Sequence, residues 1–133
     1  MVKTEEITNS QDYIDSREII ARIEELENAT VNFGQVEELQ HLKALTEEAE
    51  GYSEWSYGVT LIREDCFEDY ARELAEDIGA ISKDTSWPAT CIDWEQAANE
   101  LKMDYTEVDF NGVSYYVFLA DDYVYKIKNM LDN

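Results

Sequence analysis

Apolar residues recur at helical spacing in four stretches of the chain, and β-branched and aromatic residues cluster in three others. Ile19, Ile20, Ile23 and Leu26 share one face of a helix opening at Asp15, where Asp15 and Glu18 make a capping-box pattern. Asn28 to Gly34 breaks the pattern. A second helix is predicted from Gln35 to Glu50, with Val36, Leu39, Leu42, Leu45 and Ala49 in its stripe and Gly51 at its end. Two helices joined by a short loop form a hairpin. Their narrow stripes leave two packing partners open, the rest of the chain or a second copy in a homodimer.

The pattern then changes. Tyr57 to Ile62 reads as a strand. Glu64 or Asp65 opens a helix with Phe67, Tyr70, Ala71, Leu74 and Ile78 at helical spacing, and Gly79 stands where a C-cap glycine belongs. Ser82 to Ala89, which holds the only proline, is a connection. Asp93, with Gln96 three residues on, caps a helix whose inner face carries Trp94, Ala97, Ala98, Leu101 and Tyr105. Thr106 to Phe110, Asn111-Gly112 and Val113 to Leu119 form a hairpin signal, because Asn-Gly accepts the positive φ values of a type I′ turn. The tail from Asp121 predicts a short helix. The fold class is α+β: an N-terminal helical hairpin plus a small antiparallel sheet packed with two acidic amphipathic helices. Residues 1–14 are expected to fray, 15–51 to form the hairpin and 52–133 the α+β part, all in one compact unit.

Charge adds what periodicity does not. Thirty-one Asp and Glu against ten Lys and Arg give 133 residues a net charge of −21. Such an excess repels itself and costs stability. It also excludes direct binding to nucleic acid or anionic membrane, whose affinity for proteins comes from cationic side chains. An apolar content of 44%, with nine Tyr, argues against an acidic disordered tail. No run of about 18 apolar residues predicts a membrane span. The N-terminal MVKTEEITNSQD has no apolar signal region, and Cys66 and Cys91 read as isolated buried thiols, so a cytoplasmic location is expected.

The excess is concentrated. The helix near 64–79 carries Glu64, Asp65, Glu68, Asp69, Glu73, Glu76 and Asp77 against Arg72 alone. The next carries Asp93, Glu95, Glu100 and Asp104 against Lys102 alone. An ordinary solvated helix face mixes signs, with Lys paired to Glu four residues away. These two helices lack that compensation. Neighbouring carboxylates on a helix lie about 5–6 Å apart at Cβ, against phosphates every ~3.4 Å along one DNA strand. A row of them approaches phosphate charge density, and the matching partner is a basic nucleic-acid-binding groove.

Catalytic chemistry is scarce. His41 is the only histidine and reads as a surface or rim residue, which leaves no His-based metal site or catalytic cluster. No EF-hand spacing and no Gly-rich phosphate loop occurs, so no metal and no cofactor is expected. Cys66 has no base nearby in sequence. Paired carboxylates are uninformative where acids are so abundant. No enzyme is expected. Tyr105, Tyr115, Tyr116, Tyr123 and Tyr125 are expected mostly in the core.

Residues 66–118 resemble the ArdA antirestriction proteins of phages, plasmids and transposons. The likeness lies in FEDYARELAEDIG at 67–79, CIDWEQAANEL at 91–101 followed by Asp104-Tyr105, and SYYVF at 114–118. The pattern is also similar to that of a broad set of small acidic phage proteins. The resemblance implies a DNA mimic that occupies the DNA-binding groove of a type I restriction–modification enzyme in the host cytoplasm. The expected contact set is the eleven acids named above, which lack basic partners and of which all but Glu64 and Asp65 fall within the resembling stretch. ArdA chains are longer, with a further N-terminal α+β domain; here the helical hairpin stands in its place. Two other expectations stay open. One is an inhibitor seated in the basic guide–target channel of a CRISPR effector. The other is a protein-interaction module acting through the hairpin.

Overall fold

The computed structural model describes residues 4–29, 32–49, 54–81 and 87–119. Strand β1 (Tyr13–Asp15) leads directly into helix α1 (Ser16–Asn28). The Asp15 carboxylate caps α1 by accepting from the Arg17 N–H at 2.8 Å, one residue before the expected Glu18. Helix α2 (Phe33–Ala49) follows and closes the hairpin. Ile19, Leu26, Leu42, Leu45 and Ala49 are buried along the facing stripes. Val36 is exposed instead. The buried line on α2 runs through 38, 42, 45 and 49, and at 3.6 residues per turn Val36 points roughly 120° away from Leu42.

Glu38 holds one of those buried positions because Arg22 of α1 meets it. Nε donates to Oε2 at 2.7 Å and Nη2 to Oε1 at 2.8 Å, with both side chains under one-tenth exposed. The Ile7 N–H adds a third bond to Glu38 at 3.0 Å, and Arg22 Nη1 donates to the Thr4 carbonyl at 3.0 Å. These bonds overturn the expectation that residues 1–14 fray: from Thr4 onward the segment is built into the fold, with Ile7 and Ile14 buried. A single apolar residue in Tyr13-Ile14-Asp15 is too short a signal to mark β1 in the sequence.

After the hairpin, one helical turn, α3 (Glu54–Tyr57), buries Trp55 and leaves Tyr57 81% exposed. The strand expected from Tyr57 therefore starts later, as β2 (Thr60–Arg63). Gly58, at φ +113°, turns the chain between them; a Cβ there would lie 2.7 Å from Arg17 Nε. A 3-10 turn over Glu64–Cys66 feeds helix α4 (Phe67–Asp77), and Gly79 follows it at φ +79°. Ile78 lies beyond the end of α4 and is 70% exposed, not part of its apolar stripe. Helix α5 (Trp94–Lys102) is capped by Asp93, which accepts from the Gln96 N–H at 3.1 Å. Strands β3 (Thr106–Phe110) and β4 (Val113–Val117) close the described fold, with Asn111 at φ 49° and Gly112 at φ 85° between them. Positive φ at both positions is the type I′ turn that Asn-Gly predicts.

All four strands pair antiparallel in the order β1-β2-β4-β3. Alternation gives the sheet two working faces. On one, Leu61, Val108, Phe110, Tyr115 and Val117 share a core with the α1–α2 hairpin. The hairpin stripes thus pack on the chain's own sheet. On the other, Ile62 and Tyr116 pack with Phe67, Ala71, Ala98 and Tyr105 under α4 and α5. The result is the expected α+β class, with helices on both faces. Cys66 is half-buried but Cys91 is exposed, contrary to the buried reading of both. The helix expected after Asp121, with Tyr123 and Tyr125, lies outside the described residues.

Candidate functional site

Helices α4 and α5 pack side by side, each with its apolar stripe on the sheet and its polar face outward. Glu68, Asp69, Glu73 and Asp77 are exposed on α4, and Glu76 is half-buried. Glu64 and Asp65 are exposed in the preceding 3-10 turn. Asp93, Glu95, Glu100 and Asp104 are exposed along and after α5. The eleven acids named from the sequence thus fall on two adjoining helices of one sheet face, with their caps and flanking turns.

Two of the eleven serve as an ion-pair partner and a helix cap, and Glu100 Oε1 also accepts from Gln96 Nε2 at 3.3 Å. Asp65 pairs with Arg63, whose guanidinium holds its carboxyl below the ordinary range. Asp93 is the α5 N-cap. Among the described residues the other nine make no ion pair.

The two bases on these helices lie elsewhere. Arg72 of α4 places its guanidinium 5.1 Å from the centroid of the Trp94 ring on α5. Lys102 of α5 places Nζ 5.1 Å from the Tyr116 ring and 5.7 Å from the Phe67 ring on α4. Both distances suit cation–π attraction. Aromatic contacts surround that seam: Phe67 packs edge-on to Tyr105 with centroids 5.2 Å apart, and the Tyr70 and Tyr105 hydroxyls share a 2.6 Å hydrogen bond. Both cations therefore lie against rings where the two helices meet, Lys102 half-buried and Arg72 exposed, while the carboxylates point away from that seam.

Nearby titratable groups register that environment. Burial, followed by the charges of Glu107 and Glu64, raises the Tyr116 phenol. Burial, followed by the charges of Glu73, Cys66 and Asp69, raises that of Tyr13. Cys66 is pushed up to about 12, by burial first and then by Asp12 and Asp65. At neutral pH it is a protonated thiol and a poor nucleophile.

Glu107 and Asp109 extend the acidic surface beyond the eleven acids that the sequence points to. Glu107 stands opposite Tyr116 in the β3–β4 register, so it shares the α4–α5 face of the sheet, and Asp109 follows two residues on. Glu107 accepts from Ser114 Oγ at 2.5 Å. The alternation Thr106-Glu107-Val108-Asp109-Phe110 carried the signal, since Val108 and Phe110 must face the core.

His41 is half-buried and borders a shallow groove with Glu6, Glu37 and Glu38 on the opposite side of the sheet. Among the described residues no three His, Cys, Asp or Glu side chains converge as metal ligands would, and no helix is long and apolar enough to cross a membrane. No protein-family model, curated protein or solved structure matches the chain.

Proposed function

We propose that the α4–α5 face is a DNA mimic that inhibits a host type I restriction–modification enzyme by occupying its DNA-binding groove. The observation that carries this reading is the placement of the bases. Arg72 and Lys102 lie on aromatic rings and make no ion pair among the described residues, so nine acids on α4, α5 and their flanking turns keep their charge unpaired, eight of them exposed and Glu76 half-buried. A solvated face that serves solubility alone has no need of that separation. The resemblance to ArdA proteins supports the same reading, because its pieces fall on α4, α5 and β4.

The mechanism needs no catalysis, cofactor or contact with nucleic acid. Long-range attraction steers the acidic face into a basic groove. Once seated, it blocks DNA for as long as it stays bound.

A purified type I restriction–modification complex tests this. Inhibition should saturate at a fixed stoichiometry, compete with duplex DNA, and weaken steeply with salt, since exposed charges are screened beyond about 10 Å at 0.1 M. Sub-stoichiometric inhibition that leaves a covalently modified complex would replace the mimic with an enzyme. Inhibition of a CRISPR effector but not of the restriction complex would keep the mimic and change its target.

A further inference from the structure

Arg72 and Lys102 carry the wrong sign for a surface that attracts a basic partner. If only total charge mattered, removing either would improve the protein. Their geometry says otherwise. Each reaches from its own helix to an aromatic ring of the other: Arg72 on α4 to Trp94 on α5, and Lys102 on α5 to Phe67 on α4. Lys102 also lies over Tyr116, anchoring the pair to β4. Apart from these contacts, the helices meet through a small core of Phe67, Ala71 and Ala98 with half-buried Tyr70 and Leu101. Two outward rows of like charge push such a pair apart. Crossed cations in the seam oppose that push from between the rows.

We infer that Arg72 and Lys102 are positioning residues: a reciprocal cation–π clasp that fixes the two carboxylate rows relative to one another, so that the acidic face meets its partner pre-organised. The binding consequence rests on the mimic reading above; the structural consequence does not. A rigid array binds a rigid groove without first paying to order itself. Losing the clasp therefore weakens binding even as the chain becomes more negative.

The experiment compares Arg72→Gln and Lys102→Gln with Lys43→Gln, which removes the same charge from an exposed, Glu27-paired site on α2. Amide hydrogen exchange on the free protein is read first. Exchange in α4 and α5 should rise in the two seam variants, with β1–β4 and the α1–α2 hairpin unchanged, and should stay at the wild-type level in Lys43→Gln. Competition with duplex DNA for a type I restriction–modification complex is read second, well below the melting temperature. Each seam variant should lose about threefold in affinity, the size of one partly exposed cation–π contact. Lys43→Gln should hold or gain. Lys102→Arg and Arg72→Lys, which keep a cation over the ring, should restore both readouts. Unchanged exchange in α4 and α5 overturns the clasp. Raised exchange with affinity equal to that of Lys43→Gln overturns its role in binding. A wild-type protein that fails to compete refutes the mimic, and exchange alone then decides the clasp.

Discussion

The hairpin α1–α2 and the pair α4–α5 are both acidic, amphipathic and packed on opposite faces of one sheet, yet they use their few bases differently. On the hairpin, Arg22 is buried in a two-pronged pair with Glu38, Lys43 bridges to Glu27 at 2.9 Å, and Arg17 pairs with the Asp15 cap. The first two of these pairs tie helix to helix through carboxylates, and the third is local to the start of α1. On α4–α5 the same task falls to aromatic rings, and the carboxylates are left over. Two acidic helix pairs thus hold their bases in different ways. What separates them is where the bases point, and composition does not record that.

The largest effect expected from breaking this contrast is at Glu38. Glu38→Ala strands the Arg22 guanidinium in the core, and removing one partner of a buried pair costs about 3–5 kcal/mol. Urea denaturation should show that loss, while folded variant still competes with DNA as wild type does. A loss of competition at temperatures where the variant is folded would make the hairpin part of the functional surface.

The same pair sets a pH dependence. Burial pushes the Glu38 carboxyl up, but the bonds from Arg22 and the Ile7 N–H, with the Arg22 charge, outweigh it and leave the group below its ordinary value of 4.5. A carboxyl lowered on folding stabilises the fold above its unfolded pKa, and that contribution disappears as pH falls through the folded value. Unfolding free energy should therefore decline below about pH 4.5, and Glu38→Gln should lack that part of the decline. Equal acid sensitivity in both proteins would assign the dependence to other carboxylates.

Salt should separate the two helix pairs by a smaller margin. Screening relieves repulsion among unpaired acids and weakens exposed ion pairs. Amide exchange in α4 and α5 should slow as salt rises, whereas in α1 and α2 it should hold or quicken. A uniform response across the molecule would mean that the two regions do not differ in pairing.

The smallest effect concerns the strand acids. Because Glu107 is the leading charge raising Tyr116 after burial, Glu107→Gln should bring the Tyr116 phenol part of the way back toward its ordinary value. Ring carbon NMR titration reads this directly. No change would remove Glu107 from the acidic face.

Much of this molecule is legible in its residues. Asp15 and Asp93 announced the starts of α1 and α5, Gly79 marked the end of α4, and Asn111-Gly112 fixed the hairpin register, because each acts through local backbone chemistry. What the sequence hid depends on contacts between distant segments. Ile7 and Ile14 are held by Glu38 and β2, which lie beyond any local window. Val36 and Ile78 fit a stripe by spacing, but one points away from the sheet and the other lies past its helix. The eleven acids were found because charge is visible in sequence. The seam positions of Arg72 and Lys102, and the outward turn of Glu107, needed the register of neighbouring elements.

If the α4–α5 face binds as proposed, the placement of charge matters more than its total. Two variants with equal change in net charge are compared: Glu68, Asp69, Glu73 and Glu76 made amides on α4, and Glu18, Glu24, Glu37 and Glu47 made amides on the hairpin. Each is titrated against a type I restriction–modification complex in competition with duplex DNA. The α4 variant should lose competition by at least about tenfold with its fold intact, while the hairpin variant stays close to wild type. Equal losses in both would reduce the effect to bulk charge, and a loss confined to the hairpin variant would place the functional surface on the other side of the sheet.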